Sequence, residues 1–284
     1  MNVPFNVDLK DKVAVVTGGG VLCSTFAEAL AACGAKVALL DIRKAEADKV
    51  ADKINDNGGT ALGVEANVLK AESLEEARKI INKELGSCDI LVNGAGGNHP
   101  KGTTSKEYFY KEDLQNENDE LVTFFDLDSE GVQFVFNLNF LGTLLTTQAF
   151  AKDMIDKEDT VILNVSSMNA FTPLTKIPAY SGAKAAVSNF TRWLAVHMSK
   201  EGIRVNAIAP GFFLTDQNRS LLTNEDGSFT ERAEKILGQT PMERFGEPAE
   251  LVGTLLWLVD EAASGFVNGT VIPVDGGFSA YSGV

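Results

Sequence analysis

Short apolar runs alternate with amphipathic segments along most of the chain. Seven runs rich in Val, Ile, Leu and Ala lie at residues 13–16, 36–40, 61–64, 90–92, 160–165, 204–209 and 271–273. Several lack an alternation of polar and apolar positions, which is typical of strands buried on both faces of a parallel sheet. Segments with helical spacing lie between them at 25–33, 44–55, 73–85, 138–154, 179–200 and 248–259.

This alternation of strands and helices indicates an α/β fold. Right-handed crossovers between parallel strands place helices on both faces of one sheet. We therefore predict a doubly wound, Rossmann-type parallel sheet of about seven strands. Since no internal repeat or Pro/Ser-rich linker divides the chain, residues 1–284 are predicted to form a single domain.

Two segments interrupt the pattern. Residues 99–131 are rich in Lys, Glu, Asp and Asn and carry aromatic clusters at 108–110 and 124–125. Connections in compact domains usually have about 4–6 residues, so we predict a functional insertion here. Residues 216–244 follow the carboxyl end of a strand, where open parallel sheets bind ligands, and form a candidate substrate lid. A subunit contact or a solvated loop is the alternative for both.

Charge and composition narrow the class of partner. The chain has 284 residues, 39 of them acidic and 25 basic, for a net charge of -14. This balance disfavours nucleic acids and anionic membranes as partners, because both require basic surface. No apolar run approaches the ~18 residues of a membrane span, and the first twelve residues do not resemble a signal peptide. Three widely spaced cysteines predict reduced thiols without a metal site, so we expect a cytoplasmic protein.

The turn after the first strand has the composition of a dinucleotide site. Gly18, Gly19 and Gly20 would let backbone amides and a helix N-terminus approach a pyrophosphate. Asp41 ends the second strand, where a carboxylate accepts hydrogen bonds from an adenosine ribose. Its charge would repel a 2′-phosphate and favours NAD over NADP, a preference that Arg43 could weaken. A tight turn with a solvated carboxylate is the alternative.

A second group of residues carries candidate chemistry. Tyr180 and Lys184 lie on one face of a predicted helix, and Ser167 follows the strand at 160–165. With four further motifs they resemble the short-chain dehydrogenase/reductase family over nearly the whole chain. The motifs that carry this resemblance are Thr17-Gly18-Gly19-Gly20, Asn93-Gly94-Ala95-Gly96, Asn139-x-x-Gly142, Ser167…Tyr180-x-x-x-Lys184 and Pro210-Gly211…Thr215.

The resemblance implies an NAD(P)-dependent oxidoreductase that interconverts an alcohol and a ketone. Tyr180 would be the acid/base at the reacting oxygen, and Lys184 would lower its pKa and hold the nicotinamide ribose. Ser167 would orient the oxygen, while Asn139 would support a water relay. A surface helical pair with a serine cap is the alternative.

The resemblance also assigns a cofactor set. It comprises Gly18, Gly20, Val21, Leu22, Asp41, Asn67, Val68, Asn93, Gly94, Ala95, Tyr180, Lys184, Pro210, Gly211, Phe213 and Thr215. The glycine loop is one residue shorter than the family pattern, so Val21 and Cys23 occupy two glycine positions. Cys23 would lie either near the pyrophosphate or in ordinary packing.

Residues 21–24 and 96–100, the insertion and the tail at 276–281 are similar to the sugar-acid branch of the family. D-mannonate oxidoreductases (fructuronate reductases) are the nearest group, followed by gluconate 5-dehydrogenase-like enzymes. The resemblance implies a sugar-acid or polyol substrate; a non-catalytic NAD-binding scaffold or sensor is the other alternative. An anionic substrate needs cations or amide donors. The predicted substrate residues are Asn98, His99, Asn169 and Arg219, with Lys101, Lys176 and Arg244 as further candidates; exposed loop positions are the alternative for each.

The helices at 138–154 and 179–200 carry apolar residues around much of their circumference. In the family these helices form a dimer face. We therefore expect a homodimer or homotetramer.

Overall fold

Seven parallel strands form one sheet in the order β3-β2-β1-β4-β5-β6-β7. The computed structural model describes residues 6–115, 120–215 and 218–283. The strands are β1 (Val13–Thr17), β2 (Lys36–Asp41), β3 (Thr60–Glu65), β4 (Ile90–Asn93), β5 (Val161–Val165), β6 (Arg204–Pro210) and β7 (Val271–Val274). The predicted single-domain, doubly wound sheet is confirmed.

Helices cover both faces of the sheet. They are α1 (Val21–Ala32), α2 (Lys44–Asp56), α3 (Ala71–Glu84), α4 (Ser129–Phe136), α5 (Gly142–Phe150), α6 (Pro178–His197), α7 (Arg219–Leu222), α8 (Glu231–Gly238), α9 (Val252–Val259) and α10 (Glu261–Ser264). Among the described residues, no helix is both long and apolar enough to span a membrane.

Alternation along β1 explains why two cores form. Ala14 and Val16 pack with residues of α1, α2 and α9. Val13 and Val15 point to the other face and pack with residues of α3 and α6. All five residues of β1 are buried. A strand with no solvated face needs apolar side chains at every position, which accounts for the missing period of two.

The helix predicted at 138–154 begins earlier, at Ser129. Asp128 caps it by accepting hydrogen bonds from the backbone N–H groups of Glu130 and Gly131 at 2.7 and 3.1 Å. A π-helical turn, Asn137–Leu141, separates α4 from α5, and a 3₁₀ turn, Ala151–Met154, follows α5. The end of the predicted insertion is therefore helical.

The insertion and the candidate lid touch each other. The insertion contains three 3₁₀ turns, Pro100–Gly102, Lys111–Gln115 and Phe124–Asp126, while its residues 116–119 lie outside the described part of the chain. The lid, whose residues 216–217 are likewise not described, contains α7 and α8. Lys235 of α8 pairs with Glu107 of the insertion at 3.2 Å. The two segments that interrupt the sequence pattern are therefore neighbours in space.

Candidate active site

A cleft of about 730 Å³ lies at the carboxyl ends of the strands. Its wall includes the turn after β1, the end of β2, the residues after β4 and β5, and the segment after β6. This is the edge at which open parallel sheets bind ligands.

The glycine turn has the geometry of an anion site. Gly18 has a φ of +93°, a left-handed conformation that favours glycine, and its N–H donates to Leu40 O at 2.7 Å. Gly20 is the N-cap of α1, and it supplies no side-chain cap; the first turn of the helix has no acidic residue. The partial positive charge of the helix N-terminus is thus left for a bound anion such as a pyrophosphate.

Asp41 is fixed beside this turn. Its Oδ2 accepts from Gly19 N at 2.7 Å and its Oδ1 accepts from Arg43 N at 2.8 Å. Both Asp41 and Arg43 line the cleft. A carboxylate held in this way can still accept hydrogen bonds from ribose hydroxyls through its remaining lone pairs.

Cys23 explains how the shortened loop packs. A Cβ atom added to Gly94 would overlap Cys23 Sγ and would lie 2.9 Å from Thr17 O. Thr17 Oγ1 in turn accepts from the N–H groups of Gly94 and Ala95 at 3.0 and 3.1 Å. The thiol fills space beside Gly94 while also lining the cleft, and burial raises its pKa to about 12. Cys23 therefore packs against Gly94 and faces the cleft as a neutral thiol, and its proximity to a pyrophosphate stays a prediction.

Ser167, Tyr180 and Lys184 meet on the cleft wall. Ser167 follows β5, while Tyr180 and Lys184 lie one turn apart on α6. Lys184 Nζ donates to Val165 O at 2.8 Å and lies 5.7 Å from the centroid of the Tyr180 ring. The packing of α6 beside β5 thus brings Tyr180 and Lys184 to the same wall as Ser167.

Burial dominates the electrostatics of this group. It raises the pKa of Tyr180, against the opposing effect of a hydrogen bond with Ser167, and it lowers the pKa of Lys184 to about 8. The net shift of the Tyr180 pKa is thus upward, and Lys184 is not among the groups that lower it here. The physical reason is desolvation, which disfavours both the phenolate and the ammonium.

Asn139 lies on the π-helical turn and is fully buried. Its Nδ2 donates to Gly97 O at 2.7 Å and to Val135 O at 2.8 Å, and its Oδ1 accepts from Gly97 N at 3.1 Å. Its backbone carbonyl accepts from Thr143 Oγ1 at 2.8 Å. The side chain therefore joins the π-helical turn and the end of α4 to Gly97, which lies just before the insertion.

Comparison with known proteins agrees with this geometry. The sequence profile of the short chain dehydrogenase family matches residues 12–226. The chain belongs to this family. A Haemophilus influenzae relative, an uncharacterized oxidoreductase, is 60% identical over 285 residues, covering 100% of this chain and 99% of its own length.

A solved short-chain dehydrogenase structure is also similar throughout. This candidate D-mannonate oxidoreductase from Haemophilus influenzae, with bound NAD, is 58% identical, has a TM-score of 0.94, and is matched over 100% of both chains. The 5-keto-D-gluconate 5-reductase of Escherichia coli K12 is 31% identical over 275 residues, or 95% of this chain and 96% of that protein. The chain is an NAD(P)-dependent alcohol/ketone oxidoreductase acting on a small molecule.

Most of the predicted cofactor set of this short-chain dehydrogenase lines the cleft. Those residues are Gly18, Gly20, Val21, Leu22, Asp41, Asn67, Val68, Gly94, Ala95, Tyr180, Lys184, Pro210, Gly211, Phe213 and Thr215. Asn93 does not. Its Nδ2 donates to Thr147 Oγ1 and Asn164 Oδ1, both at 2.9 Å, in the buried layer between the sheet and α5. The Asn93 side chain joins structural elements, and its place in the cofactor set stays a prediction for its backbone.

The four predicted substrate residues are not on the cleft wall as the structure describes it. Asn98 Nδ2 donates to Thr103 Oγ1 at 3.0 Å, and Arg219 is exposed. His99 Nδ1 accepts from Lys101 N, and its ring packs edge-on against Phe134 at 5.2 Å.

Asn169 is buried, and its Oδ1 has no partner among the described residues. The three further candidate cations are either paired with a carboxylate or exposed. Lys101 pairs with Asp128 at 3.2 Å and Arg244 with Glu250 at 2.6 Å, while Lys176 is exposed.

Sequence reasoning missed several residues of the wall, among them Phe134, Leu138, Phe212 and Asn218. Phe134 and Leu138 are four residues apart, which is a helical spacing. A predicted helix that started after the Asp128 cap would have placed both residues on one helix face. Asn218 carries no comparable signal.

Proposed function

We propose that this short-chain dehydrogenase interconverts D-mannonate and D-fructuronate with NAD(H). The observation that carries the proposal is the convergence of Ser167, Tyr180 and Lys184 beside a glycine turn with an open helix N-terminus. The likeness at 58% identity to a candidate D-mannonate oxidoreductase with bound NAD supports the substrate and the cofactor.

In the proposed reaction, Tyr180 transfers the proton and Ser167 orients the reacting oxygen. Bound nicotinamide supplies or accepts the hydride at the carbon. Tyr180 holds a proton that it donates to the ketone oxygen during reduction, a role that a raised pKa favours. Ser167 donates a hydrogen bond to the same oxygen and orients it. In the reverse direction Tyr180 accepts the alcohol proton, a step that requires the phenolate and is favoured by alkaline pH.

Asp41 supports a preference for NAD over NADP. Its carboxylate is held against Gly19 at the adenosine end of the cleft. A 2′-phosphate placed there would meet a negative charge at short range, whereas two ribose hydroxyls would meet an acceptor. Arg43 is nearby, but its side chain is 71% exposed and lies 3.9 Å from both Asp41 and Glu46.

A sugar-acid substrate requires the site to accept an anion in a protein of net charge -14. Among the described residues of the cleft wall, the cations are Arg43 and Lys184. We propose that His99 and Asn169, with Asn98 and Arg219, supply donors at the substrate end. His99 supports this assignment through its contact with Phe134 of the wall. Asn169 supports it through its position beside Ser167, to whose Oγ its N–H donates at 3.3 Å.

The direct test is turnover by the purified protein, followed by NADH absorbance. We expect reduction of D-fructuronate with NADH and oxidation of D-mannonate with NAD, with weaker activity toward the uncharged pair D-fructose and D-mannitol. Equal rates with the acid and the polyol would contradict an anion-binding site. A preference for 5-keto-D-gluconate would support the second candidate, a gluconate 5-dehydrogenase-like activity, which the Escherichia coli relative favours. NADH binding without turnover of any of these would indicate the non-catalytic alternative.

We further propose a cytoplasmic homodimer or homotetramer. The cytoplasmic location is supported by Cys23, Cys33 and Cys88, which are all free thiols, as is usual in a reducing compartment. Trp193 and Val196 on α6 are 56% and 77% exposed, a large apolar surface for a helix of an isolated chain. Light scattering that shows a stable monomer would contradict the assembly.

A further inference from the structure

The segment after β6 is fixed by hydrogen bonds on both of its edges. On one edge, Leu214 N donates to Gly246 O and Gly246 N donates to Phe212 O, both at 2.9 Å. On the other edge, a single side chain takes the place of a neighbouring strand. Asn218 Nδ2 donates to Phe213 O at 2.8 Å, and Asn218 Oδ1 accepts from Thr215 N at 2.9 Å.

This arrangement limits what the segment can offer to a ligand. Phe212, Phe213, Thr215 and Asn218 all line the cleft. The Phe213 carbonyl and the Thr215 N–H are already satisfied by Asn218. Thr215 lines the cleft, and its hydroxyl has no hydrogen-bond partner in the part of the chain that the structure describes.

The segment follows β6, on the side of the cleft where Ser167 follows β5, whereas Asp41 ends β2 at the opposite side. We propose that Asn218 is a positioning residue that fixes the backbone of 213–215, so that the Thr215 hydroxyl meets the nicotinamide end of NAD(H). The inference rests on the use of NAD in the proposed function, but it does not depend on which sugar acid is reduced. An asparagine is suited to the task because its amide has one donor and one acceptor edge, as a peptide group has. Alanine would leave both backbone groups of the segment without these partners.

A purely structural role for Asn218 is distinguishable from this one. Asn218 precedes α7, and its backbone N–H donates to Thr215 O at 3.1 Å. If the side chain only stabilised the start of the lid, its loss would not act selectively on one end of the cofactor. If the side chain positions Thr215, its removal would weaken the binding only of ligands that carry the nicotinamide.

The test compares the binding of NADH and of ADP-ribose, which lacks the nicotinamide, by titration calorimetry. For Asn218→Ala we expect the Kd of NADH to rise roughly 5- to 30-fold, as for the loss of two hydrogen bonds, with the Kd of ADP-ribose unchanged. Asn218→Asp keeps the acceptor for Thr215 N and should give a smaller rise in the Kd of NADH. If the alanine variant does not fold, the Asn218→Asp variant provides the same comparison of the two ligands.

Asn224→Ala is the matched control. Asn224 Nδ2 also holds a turn of the same segment, donating to Ser228 Oγ at 2.9 Å and Phe229 O at 3.1 Å, but it does not line the cleft. We expect this variant to bind both ligands as the wild type does. Equal weakening of both ligands by Asn218→Ala, or no weakening of either, would overturn the role of Asn218 alone. Failure of the wild type to bind NADH would overturn the proposed function and this inference with it.

Discussion

Lys184→Met should make the protein more stable and inactive. Burial lowers the pKa of Lys184 from 10.5 to about 8, which corresponds to roughly 3 kcal/mol of unfavourable free energy for the folded ammonium at neutral pH. Methionine removes that cost but also removes the hydrogen bond to Val165 O, worth about 1 kcal/mol. We therefore expect a net gain of about 2 kcal/mol in the free energy of unfolding at pH 7.

The pH dependence identifies the cause. Between the folded pKa of about 8 and the unfolded value of 10.5, the unfolded chain binds more protons at Lys184 than the folded protein does. This residue therefore makes the wild type more stable as the pH rises through that interval. The gain in the free energy of unfolding from Lys184→Met should be largest near pH 7 and should decrease toward pH 10.

Urea unfolding of both proteins without cofactor, at equal protein concentration, measures this difference. Circular dichroism would follow the transition, and NADH absorbance would show the loss of turnover. A variant that is less stable than the wild type at pH 7, or a difference that does not change with pH, would refute the reasoning.

Further predictions concern the same cleft. Tyr180→Phe should abolish turnover while leaving the Kd of NADH nearly unchanged in a titration; loss of binding as well would indicate misfolding. Because burial raises the pKa of Tyr180, the wild-type kcat/KM for oxidation should increase toward alkaline pH, whereas reduction should fall only as the phenol ionises; pH–rate profiles in both directions test this. Asp41→Ser should raise the KM of NAD and reduce the ratio of kcat/KM for NAD to that for NADP, and an unchanged ratio would contradict the role of the carboxylate. Gly94→Ala should destabilise the protein by about 1–3 kcal/mol in urea unfolding because its Cβ would overlap Cys23 Sγ, and Cys23→Ala should rescue part of that loss.

The sequence was sufficient for features that repeat or that depend on local spacing. Buried strands leave continuous apolar runs, so the sheet could be predicted from runs such as Val13–Val16. Tyr180 and Lys184 share a helix face at any position of that helix, because their separation of four residues fixes it. Apolar runs and helix spacing predict the fold, whereas the resemblance to the family supplied most of the residues that line the cleft.

Side chains whose direction depends on neighbouring elements could not be predicted in the same way. Asn93 ends a strand at the cleft, yet its amide bonds Asn164 and Thr147, whose proximity appears only when β5 and α5 pack beside β4. Likewise, the pKa of Tyr180 depends on burial, which helix spacing does not reveal. Asn218 acts on the backbone of an irregular segment, where no periodicity exists to detect it.

The π-helical turn Asn137–Leu141 makes the length of this helix a determinant of the site. A π turn accommodates one more residue than an α turn, and each α-helical residue turns the chain by about 100°. Deleting a single residue from the turn would let α4 and α5 join as a regular helix. With α5 held by its buried threonines, α4 would rotate and carry Phe134 away from the cleft. The glycine turn, Ser167, Tyr180 and Lys184 would all still be present in such a sequence, but the pocket would have lost one wall.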